Sequence, residues 1–125
     1  QIAWMAARNR NEADVKFLEK NLSDLKKSDA LDSAYQGEID QNFHLRICEA
    51  TKNPIIALQM DPIFRLMPRI RTIVYSTVDN ALSEAVDFHQ KIFDAIQDQD
   101  AEGAREAMMG HLAVAEEHSY KILNQ

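Results

Sequence analysis

A chain of 125 residues has the length of one domain, and its net charge of −6 argues against a surface that grips nucleic acid or an anionic membrane. Three glycines and three prolines are too few for a many-turned β-sandwich, whereas long periodic stretches rich in alanine, leucine, glutamine and glutamate favour helix. The only cysteine, Cys48, excludes an internal disulfide and fits a reducing, cytoplasmic location. No apolar run approaches the ~20 residues of a membrane span. The composition predicts an all-α fold.

The first residues, QIAWMAARN, are typical of the back half of a helix, with Ile2, Met5 and Ala6 on one side of residues 1–8. They include neither an initiator methionine nor the basic segment and cleavage site of a signal peptide. We therefore expect a longer protein, whose remaining part lies N-terminal to this single domain of residues 1–125.

A second helix is expected to begin after Asn11, which has the side chain of an N-cap, and to run to about Lys27. Acidic Glu12 and Asp14 fall in its first turn, where the helix dipole favours negative charge. Its predicted buried residues are Val15, Leu18, Leu22 and Leu25. A polar connection, residues 28–33, leads to a third helix from about Ala34 to Thr51.

The fourth helix is predicted over residues 54–76, because Asn53 is a suitable cap and Pro54 suits the first helical position. Pro62 and Pro68 fall inside it. Each proline removes a backbone donor and crowds the preceding turn, so we expect a kink or a break.

Ser83 and Glu84 are predicted to open a fifth helix that ends near Gln97. Asp100 then caps a sixth helix that runs to about Leu123. Six helices on short connections predict a mostly antiparallel six-helix bundle.

A carboxylate and an imidazole lie one turn apart in the third helix, beside its apolar stripe. Asp40 and His44 are four residues apart, which puts their Cβ atoms about 6 Å from each other, so both can reach one ion. The stripe itself contains Ile39, Phe43, Ile47 and Ala50. A carboxylate and an imidazole at the edge of a buried stripe need partners that offset the cost of their burial.

Three further histidines fall on apolar helix faces: His89 on the fifth helix, and His111 and His118 on the sixth. A lone inward histidine is more often a core residue with a hydrogen-bond partner than a ligand. Burying several imidazoles and a carboxylate without partners, however, costs several kcal/mol, and a divalent cation removes that cost. His118 is the weakest candidate ligand, because one heptad displaces it about 10 Å along the axis from His111.

An aspartate with several imidazoles suits zinc, nickel, iron(II) or manganese and excludes a calcium-type oxygen cage. The patterns of common metalloenzymes are missing, since the residues three before each histidine are Gln41, Val86, Met108 and Ala115 and not glutamate. Cys48 falls on the opposite edge of its helix from Asp40. Neither a G-x-S-x-G segment nor a glycine-rich phosphate loop occurs.

The segments DQNFHLRICEATKN, residues 40–53, and FHQKIFDAIQDQDAEGAREAMMGHL, residues 88–112, together resemble the ligand-binding domain of FadR-type GntR transcription regulators, the FCD domain. The resemblance covers nearly the whole chain and implies a six-helix bundle whose core holds a metal and a small-molecule effector. The metal ligands that it implies are Asp40, His44, His89 and His111. These positions are typical of the metal-binding members and not of the acyl-CoA-binding ones, and His118 falls outside the pattern.

The same resemblance implies a winged helix-turn-helix N-terminal to this chain, a homodimer, and DNA binding only through the missing domain. Zinc is the first choice of metal, with nickel, iron and manganese open. The expected effector is a small carboxylate or hydroxy-carboxylate that binds beside the metal. Of Arg65, Arg69 and Arg71, only Arg71 falls near the apolar side of its helix and could clamp the effector.

Two other functions remain open from the sequence. The metal could be purely structural, in a bundle that serves as a dimerisation module. A metal-dependent hydrolase or lyase is the less favoured alternative, because it needs a general base beside the metal. Glu38, Glu49 and Asp61 do not fall in a suitable position for that role.

Overall fold

The computed structural model describes residues 1–29 and 31–124, and these residues form six α-helices without a strand. The helices are α1 (Ile2–Asn9), α2 (Glu12–Lys27), α3 (Ser33–Ala50), α4 (Pro54–Thr77), α5 (Ala81–Gln97) and α6 (Ala101–Leu123). The prediction of an all-α, six-helix bundle is therefore confirmed. Ala30, in the polar connection predicted between α2 and α3, lies outside the described residues. Within the described part of the chain, no helix is long and apolar enough to cross a membrane.

Three helices begin at the caps that the sequence predicts. Asn11 accepts a hydrogen bond from the backbone of Asp14, and the Asp14 carboxylate accepts one from the backbone of Asn11, which completes a capping box. Asn53 caps α4, with Pro54 at its first position. Asp100 accepts a hydrogen bond from the backbone of Gly103 at the start of α6.

The fifth helix begins two residues earlier than predicted, at Ala81 and not at Ser83. Its N-cap is Asn80, whose backbone is left-handed with φ 64° and whose side chain makes no capping hydrogen bond. Asparagine adopts this left-handed conformation more readily than most residues. It therefore allows α5 to begin directly after the turn, without a capping side chain.

A kink or a break is expected at the prolines of the fourth helix; the helix is continuous over 24 residues, so a break does not occur. Pro62 is exposed, and Phe64, one half-turn later, is buried. Each proline removes one backbone donor, but the packing of the opposite side of α4 against the bundle holds the flanking turns in register.

The main core lies between α1, α2, α3, α5 and α6. Its buried residues include Ala6, Leu18, Leu22, Phe43, Ile47, Ile92, Ile96 and Ala104. A second, smaller cluster contains Leu25, Ile39 and Ala85, with Tyr75 packed against it. The apolar residues predicted to be buried on α2 and α3 are all buried.

A close approach between α3 and α4 depends on Gly37. A Cβ atom at this position would lie 3.0 Å from Thr72 Oγ1 and 3.3 Å from the Thr72 backbone nitrogen. Because the two helices meet so closely here, the residues one turn further along each of them, Asp40 on α3 and Tyr75 on α4, come within hydrogen-bond distance. The small size of Gly37 thus allows the close approach of α3 and α4 beside this hydrogen bond.

Candidate metal centre and adjoining cavity

The third helix contributes a carboxylate and an imidazole to the centre of the bundle. Oδ1 of Asp40 lies 3.1 Å from Nε2 of His44, and both side chains are largely buried. The two residues are one turn apart on the same side of α3, as their spacing of four predicts. This pair forms one arm of the cluster.

The fifth helix contributes His89, which is completely buried. Its ring stacks on the ring of Phe43, with the centroids 4.0 Å apart and the planes 5° from parallel. This stacking directs Nε2 of His89 toward the carboxylate, where it lies 3.6 Å from Oδ1 of Asp40. The core packing of Phe43 therefore sets the orientation of His89.

The sixth helix contributes His111, whose Nε2 lies 3.3 Å from Nε2 of His44. One possible ligand atom from each of Asp40, His44, His89 and His111 lies within 4.8 Å of all the others. Zinc takes nitrogen and oxygen ligands at about 2.0–2.1 Å, so neighbouring ligand atoms in a tetrahedral site are roughly 3.3 Å apart. The structure thus brings the four residues singled out from the sequence to distances that suit a single ion.

Several buried polar atoms of this cluster have no hydrogen-bond partner within residues 1–29 and 31–124. They are Oδ1 of Asp40 and both ring nitrogens of His89. Unpaired buried polar atoms are uncommon in native proteins because each costs free energy. An ion bound by one carboxylate oxygen and one ring nitrogen would remove two of these three costs, so the residues present fit a divalent metal.

The ionisation of the cluster also suits metal binding. Burial raises the pKa of Asp40, but the contact with His44 and the charges of His89, His44 and Arg71 outweigh burial and hold that pKa well below its usual range. Burial lowers the pKa of His89 well below the usual value and, with the charge of His44, lowers the pKa of His111 to about 4. At neutral pH the cluster therefore offers an ionised carboxylate and neutral rings at His89 and His111, which are the forms that bind metals.

The fourth helix adds two side chains that surround Asp40. The phenol of Tyr75 donates a hydrogen bond of 2.8 Å to Oδ2 of Asp40. Nε of Arg71 lies 3.6 Å from Oδ1 of Asp40, and its Nη1 is 3.4 Å from the amide oxygen of Gln41. The side chain of Arg71 is only 12% exposed, whereas Arg65 and Arg69 are exposed. Sequence reasoning singled out Arg71 but missed Tyr75, although Tyr75 follows it by one helical turn.

A cavity of about 420 Å³ adjoins the cluster. Asp40, His44 and His111 line it, and so does Arg71, while His89 lies behind them in the core. Most of the remaining wall is apolar, with Met60, Phe64, Met67, Val74, Met108 and Leu112 among its residues. A volume of this size is within the usual range of small-molecule sites, about 300–1,000 Å³.

His118 lies apart from the four-residue cluster, in agreement with its weaker position in the sequence pattern. It lines the same cavity, and its Nε2 is 2.8 Å from Oε2 of Glu84 on α5. From the sequence, Glu84 was singled out only as a residue at the start of α5. Its contact with His118 was not predicted, because the two residues are 34 positions apart in the chain. The signal available was the antiparallel course of α5 and α6, which brings the early part of one helix beside the late part of the other.

Groups suited to other chemistry are poorly placed. Burial, with the nearby charge of Glu49, raises the pKa of the Cys48 thiol to about 11, so this cavity-lining cysteine is not a thiolate at neutral pH. Glu38, Glu49 and Asp61 are all exposed at the surface of the bundle. The acids considered as a general base are therefore outside the cavity.

Residues 1–114 match the FCD domain family, and the chain belongs to this family, as its motifs predict. Over 119 residues the chain is 32% identical to a protein of Escherichia coli (strain K12) whose name describes an L-lactate dehydrogenase operon regulatory protein, covering 89% of this chain and 43% of that relative.

Two relatives from Bacillus subtilis (strain 168) are each 25% identical. The HTH-type transcriptional regulator LutR matches over 120 residues, 93% of this chain and 54% of its own length. The uncharacterized HTH-type transcriptional regulator YcbG matches over 129 residues, 99% of this chain and 51% of its own. The chain thus spans about half the length of the curated relatives it matches, and it shares its domain with transcription regulators.

Proposed function

We propose that this chain is the ligand-sensing domain of a cytoplasmic bacterial transcription regulator, and that it binds a divalent metal together with a small organic acid. The observation that carries the proposal is the convergence of one carboxylate and three imidazoles, groups that can bind a metal, beside a cavity large enough for a small molecule. The proposed ligands are Asp40, His44, His89 and His111. Zinc is the first choice, and nickel, iron or manganese would suit the same donors.

The metal would supply a Lewis-acidic position at which an effector carboxylate oxygen binds. Three of the four proposed ligands line the cavity, which favours sensing over a purely structural metal. The structural alternative keeps some support because the ligands come from α3, α5 and α6, so an ion would also join these helices.

Arg71 is proposed to hold the charged group of the effector. It lines the cavity, it is nearly buried, and its Nε lies close to the Asp40 carboxylate. A guanidinium recognises a carboxylate through paired hydrogen bonds, and partial burial strengthens them. Arg71 would exchange part of its contact with Asp40 for one with the effector.

Effector binding would shift the domain between two arrangements of its helices. The free energy of this shift equals the difference between the effector's binding free energies for the two arrangements. DNA would be bound by a winged helix-turn-helix domain N-terminal to this chain, and the names of two relatives describe those proteins as HTH-type regulators. A catalytic role is not proposed, since these relatives are regulators and the acids considered as a base are exposed.

We also propose a homodimer, with α4 in its interface. One side of this helix exposes apolar residues at helical spacing, and Leu58 and Leu66 are 75% and 67% exposed. The stripe consists of Ile55, Leu58, Leu66 and Ile73, and Ile63 and Ile70 at its border also line the cavity. A contiguous apolar surface of this kind is characteristic of protein interfaces.

The test of the metal site is elemental analysis of the purified chain and of three variants. Asp40→Ala and His111→Ala should each lose the one transition metal per chain that the unchanged protein carries. His118→Ala is the matched control and should keep it, because His118 lies outside the cluster. Failure of the unchanged protein to bind any transition metal under any loading condition would refute the metal site.

Effector binding is tested on the metal-loaded protein by a thermal-shift screen of small carboxylates. A ligand that binds the folded state raises the melting temperature. The same acid should stabilise Arg71→Leu much less. Absence of stabilisation by every carboxylate would contradict the sensing function and leave the structural metal as the better proposal.

A further inference from the structure

The walls of the cavity are poorly matched to a very small polar acid. The volume of about 420 Å³ is far more than a three-carbon hydroxy acid fills, and three methionines are among the apolar residues of the wall. Met60, Met67 and Met108 are flexible and polarisable, so they adapt to an apolar ligand of irregular shape. On α6, Val114 and Ala115 line the cavity between His111 and His118, so this part of the cavity suits an apolar body.

Polar groups are concentrated at two separate places in this wall. The first contains the proposed metal ligands with Arg71, and the second is the Glu84–His118 pair. His111 and His118 are seven residues apart on α6, which places the two polar groups about 10 Å apart along the helix. A ligand that contacts both must be extended.

The second polar group is a carboxylate in close contact with an imidazole. Oε2 of Glu84 is buried 2.8 Å from Nε2 of His118, while the Glu84 side chain as a whole is 42% exposed, so its other oxygen is the one that a ligand can reach. A hydroxyl group from a ligand would donate to the accessible oxygen of Glu84, whereas a second carboxylate would be repelled by this side chain.

We propose that the effector is an extended carboxylate with an apolar body, and that Glu84 and His118 bind a hydroxyl group at its far end. This inference rests on the proposed function, because the near carboxylate is assigned to the metal and Arg71. It adds a specificity-determining pair at the opposite end of the cavity and a class of effector larger than a three-carbon acid.

The test is calorimetric titration of the metal-loaded chain with four probes: lactate, octanoate, ω-hydroxyoctanoate and octanedioate. The eight-carbon monoacids should bind more tightly than lactate. The terminal hydroxyl should improve affinity about tenfold over octanoate, the effect of one good hydrogen bond to a charged group. Octanedioate should bind more weakly than ω-hydroxyoctanoate.

Two variants test the pair independently. Glu84→Leu and His118→Leu should each abolish the preference for the hydroxyl while leaving octanoate affinity within about threefold. Asp87→Leu, at an exposed position on α5, is the matched control and should keep the preference. Circular dichroism and metal content identify a variant that fails to fold, in which case the other variant decides.

The outcomes separate this inference from the proposed function. Tight lactate binding without binding of either eight-carbon monoacid would overturn the inference and leave the sensing function intact. A hydroxyl preference that survives in both folded variants would overturn the role of Glu84 and His118. If no carboxylate binds to the metal-loaded chain, the proposed function fails first, and this inference fails with it.

Discussion

The phenol of Tyr75 donates a 2.8 Å hydrogen bond to Oδ2 of Asp40, while Oδ1 of the same carboxylate faces the rings of His44 and His89. Tyr75 thus holds one oxygen so that the other points into the cluster. Burial and the neighbouring Asp40 charge both raise the pKa of Tyr75, so the phenol remains a donor throughout the physiological range. This arrangement makes Tyr75 a positioning residue for the proposed metal.

Tyr75→Phe should weaken metal binding by about ten- to a hundredfold, the usual effect of removing a hydrogen bond to a metal ligand. The ring still fills its place in the smaller core cluster, so the fold should remain intact. Competition with a chromophoric chelator measures the affinity. Tyr35→Phe, at an exposed position of α3, is the control and should bind metal like the unchanged protein. Equal affinities for both variants would contradict the positioning role.

Gly37→Val should destabilise the domain by about 1–3 kcal/mol, because its side chain would overlap Thr72 where α3 and α4 meet. Displacement of α4 should also move Tyr75 away from Asp40 and so reduce metal affinity. Urea unfolding gives the change in free energy. Glu38→Val at the neighbouring exposed position should cost less than about 1 kcal/mol, since it changes helix propensity alone. A Gly37 variant as stable as the Glu38 variant would show that the contact is unimportant.

A buried ion-pair network at Asp14 joins α2 to the end of α3. The Asp14 carboxylate accepts hydrogen bonds from Nε of Arg46 at 2.9 Å and from Nζ of Lys52 at 2.6 Å, besides the backbone of Asn11. Burial raises the pKa of Asp14, but the contacts with Lys52, Asn11 and Arg46 together outweigh it, and the pKa is lowered from 3.8. The network therefore stabilises the fold while Asp14 is ionised.

Asp14→Asn should reduce the free energy of unfolding by about 1–3 kcal/mol at neutral pH. A lowered carboxyl pKa contributes stability above its unfolded value of 3.8, and this contribution is lost as the pH falls through the folded value. The difference between variant and unchanged protein should thus shrink below about pH 4. Urea unfolding from neutral to acidic pH measures it. A difference that stays constant across this range would refute the ionic contribution.

The matched control for Asp14 is Asp24, which pairs with Lys20 at the surface of α2. Asp24→Asn should change stability by less than about 0.5 kcal/mol, because an exposed ion pair of this type contributes little.

Cys48 should react with iodoacetamide far more slowly in the folded protein than in urea. The residue is only 3% exposed, and burial raises the pKa of its thiol to about 11, so both access and thiolate content are low. Mass spectrometry of labelled samples over time gives the two rates. Similar rates in the folded and unfolded states would mean that the cavity opens readily to solvent at this wall.

The sequence was sufficient for features that depend on neighbouring residues along the chain. Helical spacing predicts the buried faces of α2 and α3, and side-chain chemistry predicts the caps at Asn11, Asn53 and Asp100. Local signals were less reliable for where a helix begins and whether it continues through a proline. The start of α5 depends on the left-handed backbone of Asn80, and α4 continues through two prolines because its packing holds it.

Spacing and family motifs together indicated Asp40, His44, His89 and His111, since helix periodicity turns all four inward. Only the tertiary structure decided what surrounds them. The contact of Tyr75 with Asp40 joins residues 35 positions apart, and the contact of Glu84 with His118 joins residues 34 apart. Such contacts depend on how closely two helices pack and in which register, as Gly37 and Thr72 demonstrate. The sequence thus determined which side chains turn toward the core, whereas helix packing determined which of them meet and how large a cavity remains between them.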